Sequence, residues 1–425
     1  MALSNKHRSA SYLRYLAASL IVTLTGAVAL VVLIDPYRLY RLIEIEGVNS
    51  VKPRPTRYQN EIKVSHAIHL RPSALIVGNS RAEIGFDPLA PAFSGRGLSA
   101  FNLAIPGSGI ATARSQLEYL DQHGLSPKLI VIGVEFLDFI DMRRESLAAA
   151  HAKPAQGTHP VEGYFWRFDS LLSLTSIGDA LRTLPLQYAS DPESTSARGF
   201  NPLMEYRAIA RREGYERLFR QRAQENARVF LKKSQGTPSL DDYAHLEAVV
   251  ENAARSDLEL ALVIYPYHAQ ILALFEASGL WPTFEAWKHK IVSVVETAGQ
   301  RFPNSRIALY DFSGYAEYQC EKIPAAGDLK SVTQWYWEGG HFKNTLGDLV
   351  LDRVLSSQAL MPDNSHAVFG YRLSPDSFVG NSLRIAQERQ RCLQSSPELF
   401  SNALAVVGSL LKANPGVAGE SSRPH

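Results

Sequence analysis

Hydrophobic positions along this chain are grouped in three ways, and each grouping predicts a different element. The longest is an unbroken apolar block: residues 15–34 read YLAASLIVTLTGAVALVVLI, twenty positions without a charge. A helix rising about 1.5 Å per residue covers roughly 30 Å over that block, the thickness of a bilayer core, so it predicts one membrane-spanning helix. Five shorter, nearly continuous apolar runs end in small or polar residues: SALIVGNSR (73–81), AFNLAIPGSG (100–109), KLIVIGVEF (128–136), LELALVIYPY (258–267) and RIALYDFSG (306–314). Such runs predict strands buried on both faces. Amphipathic spacing predicts helices over 110–122, 242–255, 268–279, 284–299 and 345–360. Strands alternating with helices predict an α/β fold around a parallel sheet of about five strands, in which ligands bind beyond the carboxyl ends of the strands.

The alternation has one gap. Residues 141–245 are too long for a simple crossover. GYFWRFDSLLSLTSIGDALRTL (163–184) has the pattern of an amphipathic helix, and 207–233 carry nine Arg or Lys against three Glu. This stretch is predicted to be a mostly helical insertion, a lid over the strand ends. The chain then divides into a start (1–14), the spanning helix (15–34), and a tether with Pro36, Pro53 and Pro55 (35–70). An α/β body (71–360) contains the insertion, and an extension (361–425) ends in NPGVAGESSRPH, which predicts disorder.

Flanking charge bears on orientation. Lys6, Arg8 and Arg14 precede the apolar block, while Arg38, Arg41, Lys52, Arg54 and Arg57 follow it. That count favours retention of the C-terminal side, yet long C-terminal domains translocate largely regardless of nearby charge. A short basic start before an apolar run is the layout of a signal anchor. The competing reading is a cleaved signal peptide with its small-residue site at Ala27-Val28-Ala29, inside a run that continues apolar to Ile34. The anchor reading puts the chain in a bacterial inner membrane as a single-pass protein with its main domain in the periplasm.

Composition narrows the function classes. With 425 residues, 45% hydrophobic and 20% charged, the chain is neither disordered nor fibrous. Lys plus Arg (44) against Asp plus Glu (42) leaves +2, which makes no global electrostatic case for nucleic acid. The balance conceals a local +6 in 207–233, nine cations less three anions. That stretch faces an anionic glycan or lipid headgroup, or is a solvated helix face. Two cysteines, Cys320 and Cys392, exclude a disulfide-dense scaffold and a multi-cysteine zinc site, and allow one bridge in an oxidising compartment. No Gly-Lys-Ser/Thr or His-Glu-x-x-His occurs and the histidines are scattered, so neither cofactor nor metal is expected.

Three motifs carry chemistry. Gly78-Asn79-Ser80-Arg81 directly follows the first predicted strand, which places a serine on a rigid strand end where backbone N–H groups can stabilise an oxyanion. Gly107-Ser108-Gly109 follows the second strand and frees backbone to approach a substrate. Glu338-Gly339-Gly340-His341 lies just before the last helix, where a carboxylate three residues from a histidine can hold one imidazole nitrogen and leave the other as a base. Arg81, Asn102 and His268 are weaker candidates for substrate contact, and His268 is also an alternative base. Asp311, at the end of the fifth strand, is a candidate turn cap.

Ser after strand one, Gly after strand two and an acid-x-x-His near the end resemble the SGNH (GDSL-like) esterase and acyltransferase superfamily. With the N-terminal anchor, the order is most similar to its envelope members, the D-alanyl-lipoteichoic acid transfer protein and the SGNH proteins of alginate O-acetylation. The resemblance covers about 73–136 and 258–350. It implies a flavodoxin-like three-layer sandwich, with Ser80 as nucleophile, His341 as general base and Glu338 as its orienter. It also implies an oxyanion site from Gly107 and the Ser80 N–H. The chain departs in three places: Glu338 stands where an Asp is usual, the first block reads Gly-Asn-Ser-Arg, and the third strand ends in Gly133-Val134-Glu135 where many members supply an Asn. The implied activity is a serine esterase or O-acyltransferase on acyl esters of an envelope glycan, served by an integral-membrane acyl carrier. The alternative is a silent domain that binds glycan or scaffolds a modification complex.

Overall fold

The computed structural model describes residues 2–142, 165–256, 258–356 and 369–413. The five apolar runs form strands. β1 (Ala74–Val77), β2 (Ala100–Asn102) and β3 (Leu129–Val134) precede the insertion. β4 (Ile140–Asp141) and β5 (Thr237–Pro238) pair across its base, and β6 (Glu259–Ile264) and β7 (Arg306–Asp311) follow. β1 pairs in parallel with β2 and β3, β3 with β6, and β6 with β7. Every side chain of β1 and β3 is buried, which requires cover on both faces.

Counting the parallel strands alone, the order across the sheet is 2-1-3-4-5, that of a doubly wound sheet. Strand order reverses between β1 and β3, and such a switch point opens a crevice at the carboxyl ends. The chain leaving β1 therefore enters the place where a ligand would sit. Two further strands, β8 (Tyr336–Glu338) and β9 (His341–Phe342), form a separate antiparallel hairpin. β10 (Tyr371–Leu373) adds antiparallel to β7, making a six-stranded, mainly parallel sheet.

The apolar block lies in one helix, Ala2–Ile34, whose part Ser11–Ile34 is long and apolar enough to cross a membrane. The segment read as a tether is more structured than its prolines suggest. It contains the helix Gln59–Leu70, and its start is bonded to the end of the apolar helix. Lys52 Nζ donates to the Ile34 carbonyl at 2.7 Å, and Asn49 Nδ2 donates to the Leu33 carbonyl at 3.1 Å. The Asp35 carboxylate accepts the N–H groups of Leu39, Tyr40 and Arg41.

The helix expected over 163–184 is two, Phe165–Leu172 and Leu174–Leu186, because Ser173 and Ser176 cap the second by bonding each other's backbone N–H. The basic stretch likewise splits into Glu205–Glu213 and Tyr215–Lys233 at Gly214, whose φ of 80° suits glycine. Residues 143–164 of the insertion, and the tail expected to be disordered, lie outside the described residues.

The C-terminal extension is joined to the sheet. From the helix Pro375–Ser395, Asn381 Nδ2 donates to Asp311 Oδ2 at 2.7 Å, Arg384 Nη2 donates to the Ser313 carbonyl at 3.2 Å, and Glu388 accepts the Tyr315 N–H at 3.1 Å. A disulfide, Cys320–Cys392, closes the same seam. The last helix, Pro397–Ala413, packs against Ala269–Ala277 and Tyr215–Lys233. Because the bridge joins residues 72 apart in sequence, replacing both cysteines by serine should remove about 2–4 kcal/mol of stability. The check is chemical denaturation with and without reductant: reductant should lower the wild-type midpoint and leave the double variant unchanged.

Candidate active site

The serine is presented by a sharp exit from β1. Gly78 has φ of 146°, a conformation only glycine adopts readily. A Cβ at Gly78 or at Gly133 would also collide with the Tyr265 hydroxyl that packs between them. Asn79 is extended and caps the short helix Ser80–Gly85 by accepting the Arg81 N–H at 3.0 Å. Ser80 is the first residue of that helix, where backbone N–H groups lack intrahelical partners. Its N–H is thus one that could serve an oxyanion.

The histidine and its acid come from the β8–β9 hairpin. Gly339 and Gly340 make the turn, and Glu338 and His341 are cross-strand partners. The Glu338 carboxylate contacts His341 Nδ1 and accepts the Gly340 N–H at 2.6 Å. On the other edge of the ring, His341 Nε2 lies 2.9 Å from Ser80 Oγ. Glu338 is buried, whereas Ser80 and His341 are half-buried, so the acid is sealed and the reacting end is open.

Burial by itself would push the Glu338 carboxyl up. The His341 imidazole, the Arg222 guanidinium and the Gly340 N–H outweigh it and hold the group down to about 2. Glu338 is therefore an anion at any ordinary pH and can only accept. That assigns the proton of neutral His341 to Nδ1 and leaves the Nε2 lone pair to accept the Ser80 hydroxyl. The arrangement can draw a proton from a serine and return it to a leaving group.

Arg222 is the part of this site that the sequence did not disclose. It sits on the helix Tyr215–Lys233 and places Nε 3.0 Å from Glu338 Oε2. Along the chain it is one of nine cations in 207–233, and nothing local marks it out. Glu321 is equally silent. Its carboxylate accepts the backbone N–H of Gln334, Trp335 and Tyr336, which fixes the approach to β8.

The other candidates are placed as follows. Gly107 occupies the turn after β2 with φ of 71°, exposed, with open space where a Cβ would lie. Its neighbour Ser108 donates from Oγ to the Gly78 carbonyl at 3.2 Å, so the two loops are tied together beside Ser80. Arg81 turns inward: its guanidinium contacts the Glu135 carboxylate and lies 5.2 Å from the centre of the Tyr267 ring.

Asn102 is wholly buried. Nδ2 donates to the carbonyls of Ala82 and Phe86 at 2.8 and 2.9 Å, and Oδ1 accepts the Ala104 N–H at 3.0 Å. It closes the end of the serine helix and has no group left for substrate. His268 caps the helix Ala269–Ala277, with Nδ1 accepting the Gln270 N–H at 3.1 Å and Nε2 2.9 Å from the Glu321 carbonyl. Burial pushes its imidazole down to about 4, and neither nitrogen is free to act as a base. Asp311 accepts the Ser313 N–H at 2.8 Å and is a turn cap as its position suggested. Among the described residues, no group of His, Cys, Asp or Glu could hold a metal ion.

No family model, curated protein or solved structure matches the chain.

Substitutions at two positions probe the geometry. A Cβ at Gly347 would run into the Gly85 carbonyl, and one at Gly85 would run into the Phe342 ring. Gly347→Ala should therefore separate the serine helix from the hairpin and destabilise the protein by about 1–3 kcal/mol, read as a lower melting temperature together with slower labelling of Ser80 by a fluorophosphonate. Arg222→Met removes the guanidinium that holds Glu338 Oε2 and so loosens the carboxylate against His341. Labelling at neutral pH should fall about tenfold, or ~1.4 kcal/mol. Arg222→Lys should keep most of the labelling.

Proposed function

We propose that this protein is a membrane-anchored serine esterase or O-acyltransferase of the SGNH type, acting on acyl esters of a cell-envelope glycan. The contact that carries the reading is the 2.9 Å approach of His341 Nε2 to Ser80 Oγ, backed by a buried Glu338. In the proposed reaction Ser80 Oγ bonds to the acyl carbon as its proton passes to His341 Nε2. The ester C–O bond then breaks, and His341 returns the proton to the departing alkoxide. The acyl-serine is released by a second oxygen nucleophile, whose proton His341 takes and passes back to Ser80. Water makes the enzyme an esterase, and a sugar hydroxyl makes it a transferase supplied by an acyl carrier in the membrane. The Ser80 N–H and Gly107 are the oxyanion donors in this scheme.

Two observations support an envelope location. One helix is long and apolar enough to span a membrane, and the Cys320–Cys392 bridge suits an oxidising compartment. Together they favour a single-pass inner-membrane protein with its body in the periplasm.

A second reading, a silent SGNH-like domain that binds glycan or scaffolds a complex, draws on Glu135. That side chain is paired with Arg81 and also accepts from Asn79 Nδ2 at 3.4 Å, so no amide reaches the serine from the end of β3. Labelling separates the two. The full-length protein in detergent should react with a fluorophosphonate and hydrolyse p-nitrophenyl acetate, and Ser80→Ala or His341→Ala should lower turnover at least about a thousandfold. Wild type no more reactive than Ser80→Ala would sink the catalytic reading and leave the silent one.

A further inference from the structure

The last turns of the apolar helix are covered by protein. Val31 and Ile34 are buried against Ala180, with Leu30, Leu171 and Ile177 packed around them. Leu171 and Ile177 belong to the helices Phe165–Leu172 and Leu174–Leu186 of the insertion. This contact sets a depth. The spanning part, Ser11–Ile34, has 24 residues, or about 36 Å of helix against a hydrocarbon core of ~30 Å. Leu30 to Ile34 make up the final ~6 Å of it, so the helix pair docks where the membrane meets water.

The pair is apolar on its outer face as well. Trp166 and Ser170 of the first helix, and Ser176, Asp179, Ala180 and Thr183 of the second, are buried toward the protein. On the other side Phe168 is 60% exposed, Leu174 88% and Leu181 52%. Leu174 and Leu181 are two turns apart on one face. Ile43 and Ile45, just beyond the anchor, are exposed too. Exposed cations stand among them: Arg41, and Arg167, whose guanidinium lies 5.3 Å from the centre of the Trp166 ring. Large apolar side chains with interleaved arginines are a liability in water, but suit the boundary between acyl chains and headgroup phosphates.

We propose that the helices Phe165–Leu172 and Leu174–Leu186 lie in the membrane interface and, with Ile43 and Ile45, seat the body directly on the lipid. The occupant of this face is the bilayer, because the face is continuous with the anchor that enters it. The proposal rests on the reading of Ser11–Ile34 as a membrane span. It also gives the insertion a second role: one end touches lipid, while its helix Tyr215–Lys233 carries Arg222 to Glu338.

The chain's two cysteines are bonded to each other, so single introduced cysteines can carry a probe. The full-length protein would be reconstituted in phosphatidylcholine–phosphatidylglycerol vesicles. It would bear an environment-sensitive fluorophore at Phe168→Cys, Leu174→Cys or Leu181→Cys. A span position, Leu20→Cys, and two exposed apolar positions on other helices, Leu240→Cys of Leu240–Arg255 and Val379→Cys of Pro375–Ser395, are the references. Lipids with a nitroxide near the headgroup should quench the three helix-pair probes about twofold or more beyond Leu240 and Val379. A deep-chain nitroxide should quench the Leu20 probe. If Leu20 is quenched and the helix pair matches Leu240 and Val379, the proposal is overturned while the anchor stands. If Leu20 is not quenched either, the anchor reading fails and the proposal with it. Helix-pair probes shielded from both lipid nitroxide and aqueous iodide would mean that a protein covers this face, which also overturns it.

Discussion

Ser80 and His341 stand 261 residues apart along the chain, and they meet because two backbones can touch where side chains are missing. The helix Ser80–Gly85 ends on a glycine beneath the Phe342 ring. The helix Asn344–Leu355 brings Gly347 against the carbonyl of that same glycine. Phe342 is the residue after the histidine, so the contact that positions the ring of Phe342 also sets the distance from imidazole to hydroxyl. A packed interior is discontinuous on the scale of a methyl group, which is why such a contact can hold a hydrogen bond to a few tenths of an ångström. Asn102 reinforces it by gripping the carbonyls at the end of the serine helix from β2.

Buried charge fixes the same helix from two sides. Glu83, three residues after the serine, pairs with Lys63 at 2.8 Å, and that ammonium also donates to the Ala104 carbonyl at 2.6 Å. Arg81 pairs with Glu135 at the end of β3. Buried pairs of this kind add little net stability because both ions lose water, yet breaking one leaves an uncompensated charge worth about 3–5 kcal/mol. Their effect here is positional. Lys63 belongs to the helix Gln59–Leu70, so the segment that follows the apolar helix is electrostatically locked to the helix that bears Ser80. Glu338 obeys the same rule, since its burial is tolerated only through His341, Arg222 and the Gly340 N–H.

Much of the framework was legible in the residues because it is written in local pattern. The five apolar runs became the five parallel strands, and the small or polar residues that end them mark the edge where Ser80, Gly107 and the hairpin gather. What local pattern does not record is where a polar side chain spends its hydrogen bonds. Asn102 and His268 lie near that edge and looked suited to substrate, but both are committed to backbone. Arg222 shows the converse: a solvated helix face and a clamp on a buried carboxylate have the same composition, and only the fold tells them apart. The helix Gln59–Leu70 was hidden because its buried Lys63 and His66 break the apolar stripe. β10 was hidden because three residues on a sheet edge carry almost no periodicity.

The late position of the hairpin has a consequence for when the Ser80–His341 contact can form. Ser80 is made early, while His341, Glu338, the strand that completes the sheet edge and the helix that backs Tyr215–Lys233 all belong to the last quarter of the chain. A partly synthesised polypeptide thus holds Ser80 without the imidazole that meets it. Order of synthesis thus sets order of assembly: only a chain made as far as the β8–β9 hairpin can bring His341 to Ser80.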